Sequence, residues 1–410
     1  MSLKPVLIFR LTGGNRLSIP LILAIMEKNR TDRHFRIEIA SSFPSLTALC
    51  RKAEKPLVVY SFMTSMLPET WREVRRLRTL FRDDILLLAG GPHPDGDPES
   101  TLKMGFDIVF SGPAEHTLGR FCSDFTGSPV EPGTTIYRSG AAVCLDDYLP
   151  FSRYNVPVPP LEIMRGCYFR CRFCQTGSAG SKPVFRSLAS VRDYMEALMR
   201  RRLTFRTGFI CPSAFEYGAA RPGQPDPAQV EKLLVLARSY PVRHLEFGIF
   251  PSEIHPHTVT PKLLNLIKVH CANRRVTMGA QTGSDRLLRS MHRGQIIDDV
   301  DRAAALVRES GMTPVLDFIL GIPGETDEDR FKTLEWIKIL HLRYRARIQM
   351  HFFMPLAGTP YAGAVPAVPD TRTMDTLSAY HHAGICTDWW IKDMKTSREI
   401  VEIRESVRRM

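Results

Sequence analysis

The chain has 410 residues, 44% of them hydrophobic and 24% charged, which allows two or three domains with full cores and excludes extended disorder. Its net charge of +12 suits an anionic partner or cofactor. The positives are dispersed along helical stretches such as "WREVRRLRTLFR" (Trp71 to Arg82), which makes nucleic acid an unlikely partner.

The opening "MSLKPVLIFRLTGG" has an apolar core too short for a secretory signal and reads as a first β-strand. A helical pattern follows through "IPLILAIMEKN". Next come strands at "FRIEIASS" (Phe35 to Ser42) and "PLVVYSF" (Pro56 to Phe62), the basic helix, and strands at "ILLLAGG" (Ile85 to Gly91) and "FDIVFSG" (Phe106 to Gly112). Strands this apolar, alternating with helices, predict a doubly wound parallel sheet over 1–145. Such sheets bind ligands at the carboxyl ends of their strands. Those ends carry Thr12, Gly13 and Gly14; Ser61 and Thr64; Gly90, Gly91, Pro92 and His93; and Gly112, Pro113 and Glu115.

A proline-rich passage within 146–160 reads as a linker. From 161 to 365 six further strands are predicted: "LEIMRG", "TGFIC" (Thr207 to Cys211), "HLEFGIF" (His244 to Phe250), "RVTMGAQTG" (Arg275 to Gly283), "PVLDFILG" (Pro314 to Gly321) and "RIQMHFF" (Arg347 to Phe353). Their spacing predicts a partial (β/α)6 barrel, α/β like the first domain, with working loops at the strand carboxyl ends. Residues 366–410 read as a short helical C-terminal segment. Its "DWWIKD" (Asp388 to Asp393) carries paired tryptophans expected to pack on the core.

No apolar run approaches the ~20 residues of a membrane span, so a cytoplasmic protein is expected. There, clustered cysteines point to metal or redox chemistry. Of the nine cysteines, Cys167, Cys171 and Cys174 fall in "RGCYFRCRFCQTGS", spaced C-x3-C-x2-C, in the loop after the first barrel strand. Structural zinc would need a fourth Cys or His, but His244 and His255 lie far along the chain and no second C-x2-C follows. A [4Fe–4S] cube takes one thiolate per iron, so three cysteines leave one iron open. Cys50, Cys122, Cys144, Cys211, Cys271 and Cys386 are scattered and read as small buried hydrophobes.

C-x3-C-x2-C with an aromatic before the last cysteine resembles the radical S-adenosylmethionine superfamily, in which the open iron chelates S-adenosylmethionine and its cleavage yields a 5′-deoxyadenosyl radical. The resemblance places Phe173 at the adenine edge. "GAQTGSDRLLRSMHRG" (Gly279 to Gly294) is similar to the fourth-strand segment, implying Gln281, Gly283 and Ser284 as contacts. "DFILGIPGETDEDRFKT" (Asp317 to Thr333) is similar to the fifth-strand motif, implying Gly321 and Pro323, with Asp317 where that motif has glycine. "MPLAGTP" (Met354 to Pro360) looks like the sixth-strand close. In place of the usual second-strand "GGE" stands "CPSAFEYG", which leaves Pro212 and Ser213 as the candidate contacts there.

The first domain resembles the cobalamin-binding subclass, which implies that the strand-end residues above hold cobalamin. Many such domains carry D-x-H-x-x-G after the first strand. "RLTGGNRLS" has neither Asp nor His, so His93 is a candidate substitute for a lower cobalt ligand, against a structural or phosphate-side role favoured by its Gly-Pro turn. The whole resembles the cobalamin-dependent (class B) radical S-adenosylmethionine methyltransferases. It implies methyl transfer to an unactivated carbon, with an electron donor such as ferredoxin or flavodoxin and a protein or peptide substrate. Methanogen-type members make a glutamine side chain of methyl-coenzyme M reductase the implied target. Rearrangement or cyclisation without methyl transfer, methylation of a lipid or other small molecule, and methylthiotransfer are the rival readings. A carbon-centred attack needs no general base, and no catalytic residue is assigned.

Overall fold

A computed structural model describes residues 4–125, 135–178 and 182–410. The chain divides into two compact units. The first comprises Met1–Pro159 with Leu356–Ala362 and Arg398–Met410; the second comprises Pro160–Pro355 and Gly363–Ser397. This division differs from a split by sequence order, because two late segments join the first unit.

The first unit is built on β1 (Val6–Arg10), β2 (Arg36–Ala40), β3 (Leu57–Ser61), β4 (Leu86–Gly90), β5 (Ile108–Ser111) and β6 (Thr135–Arg138), ordered β2-β1-β3-β4-β5-β6. Every pairing is parallel. All five residues of both β1 and β3 are buried, because helices must cover both faces of such a sheet. One face packs Leu7, Phe9, Val59 and Phe110 against Ile19, Leu23 and Phe121 from helices Ser18–Lys28 and Ala114–Phe125. The chain leaves β1 toward β2 on one side and then places β3 on the other. Their carboxyl ends therefore part into a crevice at the switch point. The β6 edge strand has no counterpart among the sequence expectations.

The proline-rich passage has no regular structure, yet it is anchored. Tyr154 and Val156 pack against the first core, and the Arg153 N–H donates to Glu27 Oε1 at 3.0 Å.

In the second unit β7 (Leu161–Glu162) is followed by a short antiparallel pair, β8 (Met164–Arg165) and β9 (Val184–Phe185), which closes the base of the cysteine loop. Then come β10 (Arg206–Ile210), β11 (His244–Glu246), β12 (Arg275–Gln281), β13 (Thr313–Leu320) and β14 (Arg347–Phe352). Parallel sheets β11-β10-β7 and β12-β13-β14 are joined where Ile254 bridges Met278 and the Thr277 N–H donates to Gly248 O at 2.8 Å. The six predicted strands thus form the expected half-barrel. Helix Thr371–His382 is N-capped by Asp370, which accepts from Thr373 N–H, and helix Trp389–Arg409 ends the chain. Among the described residues no helix is long and apolar enough to cross a membrane.

Candidate functional site

The cysteine loop starts at the carboxyl end of the half-barrel's first strand. Cys171 is buried, and Cys167 and Cys174 are half-buried. Internal bonds shape the loop: Cys174 N–H donates to Cys171 O at 3.0 Å, and Arg172 N–H to Met291 O at 2.9 Å. Arg293 reaches in from beyond β12, with Nη1 3.7 Å from Cys171 Sγ and Nη2 donating to Gly279 O at 3.2 Å. Burial, reinforced by Glu216 and by the other two cysteines, pushes the Cys167 thiol up to about 12, so the three sulfurs lie in one another's fields.

Among the described residues no three His, Cys, Asp or Glu side chains converge as a single ion requires. His255, remote in sequence, comes close: its ring stacks on Phe169 at 4.2 Å. Its Nε2 lies 3.2 Å from the Arg293 carbonyl, and burial lowers its pKa.

Around this loop the expected S-adenosylmethionine contacts fall into two groups. Gln281 ends β12 at a register shift, buried and held at φ 72°, a conformation uncommon outside glycine. Gly321, at φ 76°, donates its N–H to Glu325 Oε2 at 2.9 Å, and Pro323 follows half-buried. Phe173 is half-buried and Pro212 exposed. Ser284 is engaged elsewhere: its hydroxyl donates to Asp329 Oδ1 at 2.6 Å and caps helix Asp285–Ser290. Gly283 packs tightly against Thr333, where a Cβ would sit 2.8 Å from its Cα. Ser213 is buried beside Glu216, which sequence reasoning passed over. Glu216 is fully buried; Oε1 accepts from Gly223 N–H at 2.7 Å while Oε2 has no hydrogen-bond partner. Burial raises its pKa, and the neighbouring Ser213 side chain, the Gly223 N–H and Arg293 oppose the rise.

Three further groups stand out: Asp317, noted in the sequence only as a departure from the motif's glycine, and Glu253 and His351, which the sequence did not mark. Asp317 on β13 is 9% exposed, with Oδ1 unpaired. Burial and then Glu253 push its carboxyl up to about 8, against the pull of His351 and Arg293. Glu253, after β11, is raised by burial as well. His351 on β14 bonds through Nδ1 to Asp393 Oδ2 at 3.0 Å. Burial works against its protonation, but that bond and the carboxylates of Asp317, Asp393 and Glu253 raise its pKa. Of the paired tryptophans Trp390 packs as expected, but Trp389 is 45% exposed with its ring 5.4 Å from His351.

In the first unit the candidate residues line the carboxyl edge of the sheet. Thr12, Gly13 and Gly14 rim the switch-point crevice; Thr12 N–H donates to Asn15 Oδ1 at 2.8 Å, and its buried hydroxyl has no partner. Gly112 needs its φ of 100°, and a Cβ there would meet Ser139 O at 1.9 Å. Its N–H donates to Asp95 Oδ1 at 2.6 Å, with Pro113 and Glu115 beyond it at the start of a helix. Gly90, Gly91 and Pro92 lead into helix Pro92–Gly96. Below this rim Ser61, Thr64 and His93 are buried and occupied with one another's neighbours. Ser61 Oγ lies 2.9 Å from Ser18 Oγ, and Thr64 Oγ1 accepts from Ala357 N–H at 3.2 Å. His93 Nδ1 lies 3.1 Å from that same Thr64 oxygen, and its ring stacks on Phe62 at 5.3 Å. Burial lowers its pKa to about 4. His93 thus has its Nδ1 engaged by Thr64 and its ring buried below the rim.

Cys50, Cys122, Cys211, Cys271 and Cys386 are buried as expected, but Cys144 is exposed because it precedes a short turn rather than facing a core.

Residues 161–337 match the family model described as the Radical SAM superfamily. Over 357 residues the chain is 24% identical to an uncharacterized protein of Methanopyrus kandleri, covering 73% of this chain and 66% of that one. A tRNA-2-methylthio-N(6)-dimethylallyladenosine synthase of Paracoccus denitrificans is 28% identical over 52% of this chain and 46% of its own length. The chain thus spans about half to two thirds of the curated relatives it matches. Among solved structures the fold is similar to the radical S-adenosylmethionine methyltransferase TsrM from Kitasatospora setae, described with cobalamin and a [4Fe–4S] cluster bound. The TM-score is 0.60 at 17% identity, over 89% of this chain and 76% of that one. The half-barrel thus carries the match to the radical SAM family model, and the chain is an enzyme.

Proposed function

We propose that the chain is a cobalamin-dependent radical S-adenosylmethionine C-methyltransferase acting on an unactivated carbon. The observation that carries this reading is the cysteine triad, held in the first-strand loop of a half-barrel, in one chain with a doubly wound sheet whose switch-point crevice is rimmed by small residues. When bound, a [4Fe–4S] cluster with S-adenosylmethionine supplies a hydrogen-abstracting radical, and cobalamin supplies the methyl group.

The residues present fit these groups. Cys167, Cys171 and Cys174 would hold the cluster, with the Arg293 guanidinium countering thiolate charge at Cys171. The unpaired Oε2 of buried Glu216 suits an ammonium group such as that of a methionine moiety, and Gln281 is held by its own constrained backbone. In the first unit the unpaired Thr12 hydroxyl and the open approach at Gly13 suit a polar ligand edge. Burial of its ring and the Nδ1 contact with Thr64 favour packing over a cobalt-ligand role for His93. A reducing compartment such as the cytoplasm, and an external one-electron donor such as ferredoxin or flavodoxin, belong to the same proposal. The glutamine side chain of methyl-coenzyme M reductase stays one candidate target, although the buried acids suit a different chemistry.

Methylthiotransfer is the second reading, favoured by the Paracoccus relative. A further three-cysteine site does not fit: Cys50 and Cys122 are buried within helices, apart from exposed Cys144. Anaerobic reconstitution with iron, sulfide and hydroxocobalamin separates the two. About four irons and one retained corrinoid per chain support methyl transfer. About eight irons with no corrinoid would overturn it, as would methyl-labelled S-adenosylmethionine that yields 5′-deoxyadenosine without corrinoid labelling.

A further inference from the structure

We infer that Glu253, Asp317 and His351 form the charged pole of a substrate pocket that takes one cationic nitrogen group, an amine or a guanidinium, beside the half-exposed ring of Trp389. The inference rests on the barrel reading above and narrows its substrate class.

All three groups belong to the carboxyl-terminal half of the barrel strands or the loops after them, where such barrels place substrates. Asp317 pairs opposite Gln349, and His351 follows two residues along, so the pleat turns Asp317, Gln349 and His351 to one face of the β13–β14 ribbon. Glu253 enters from the loop after β11, fixed where its carbonyl accepts from Ala214 N–H at 2.8 Å. On the neighbouring strand Gly279 pairs with Asp317, and the Gly279 carbonyl is the one Arg293 grips while reaching toward Cys171. The pole therefore lies one strand from the cysteine loop.

Charge then selects the ligand. With every group ionised, the carboxylates of Glu253, Asp317 and Asp393 outnumber the cations of His351 and Arg293 by one. Arg293 is further shared with Glu216. Asp317 Oδ1 is nine-tenths buried without a hydrogen-bond partner, which is costly unless a donor arrives from a ligand. Burial, and then the Glu253 charge, let Asp317 keep a proton to about pH 8. A bound ammonium or guanidinium replaces that proton, which leaves to solvent, and supplies the missing donor. A neutral carboxamide would leave the proton in place. The tilted Trp389 ring beside His351 adds an electron-rich wall of the kind cations prefer.

The test uses the full chain, reconstituted anaerobically, with n-butylammonium and n-butylguanidinium as probes and n-butanol as the uncharged control. Ligand-observed NMR gives each affinity. Cation affinity is expected to rise about tenfold from about pH 6.5 to about pH 8.5, while n-butanol stays flat. Asp317→Asn removes the rise and weakens the cations about tenfold or more, and Glu253→Gln weakens them independently should the first variant be poorly folded. Equal affinity for butanol and butylammonium, or wild-type cation binding in both variants, would overturn the inference. Iron content of the same samples reports on the cysteine loop separately. A chain that takes up iron yet ignores the cations defeats this inference alone; one that binds the cations without iron defeats the cluster reading alone.

Discussion

Arg293 Nη1 stands 3.7 Å from the sulfur of Cys171 while its Nη2 donates to the Gly279 carbonyl, so one side chain ties the cysteine loop to the fourth barrel strand. A fixed positive charge beside a thiolate ligand favours the reduced, more negative state of whatever the sulfur binds. Arg293→Gln is therefore expected to lower the cluster's reduction potential. A Coulomb loss of about 1.4 kcal/mol corresponds to about 59 mV for a one-electron couple. Redox titration followed by electron paramagnetic resonance measures the shift, and Arg293→Lys should recover much of it. An unchanged potential in the Gln variant would remove the electrostatic role.

Asp317 links pH to stability. Its carboxyl is held up to about 8 against an ordinary 3.8, so the folded chain keeps a proton that the unfolded chain gives up. The associated stability is full below about pH 4, falls as pH rises, and is gone above about pH 8. Shared fields with Glu253 and His351 limit it to on the order of 3 kcal/mol. Urea midpoints across this window should decline in the wild type and decline less in Asp317→Asn, with parallel profiles counting against the assignment.

The His93 ring is expected to act in the opposite direction. Burial lowers its pKa to about 4 from 6.5, so its stabilising contribution is present above about pH 6.5 and lost on acidification through about pH 4. His93→Ala, which also empties the stack on Phe62, should cost about 2–4 kcal/mol. The Co(II) spectrum of bound corrinoid should keep its hyperfine pattern in this variant. A nitrogen splitting present in wild type and missing in His93→Ala would contradict the packing role.

Arg10 closes β1 as a buried ion pair with Glu73. Its Nη2 lies 2.8 Å from Oε1, and the Tyr60 hydroxyl donates to Oε2 at 2.9 Å. Glu73→Gln leaves the buried guanidinium with only the exposed Glu69 carboxylate, 3.8 Å away, and about 3 kcal/mol of stability should go with it. Chemical denaturation reads the loss; a change below about 1 kcal/mol would mean that water replaces the carboxylate.

Local patterns were legible in the sequence. Cys167, Cys171 and Cys174 act within one loop, so their spacing alone announces them. The apolar strands are equally plain, because burial on both faces leaves an unbroken hydrophobic run. Asp317 was visible as the one acid inside "PVLDFILG", a conflict between strand burial and charge that marks a site. Glu253, His351 and Glu216 were not, since each is ordinary among its sequence neighbours and acquires meaning only when separate strand ends converge. The addition of Leu356–Ala362 and Arg398–Met410 to the first unit was hidden for the same reason: sequence order carries no signal of a late return. His93 was ambiguous until Phe62 and Thr64 closed around it.

Gln281, held at φ 72°, has a consequence for anyone breeding this protein. Glycine at that position would relieve on the order of 1 kcal/mol of backbone strain while deleting the side chain. A library screened only for heat tolerance would thus be drawn toward glycine there and would lose the side chain proposed to contact S-adenosylmethionine. Keeping glutamine requires a screen that scores turnover at every round.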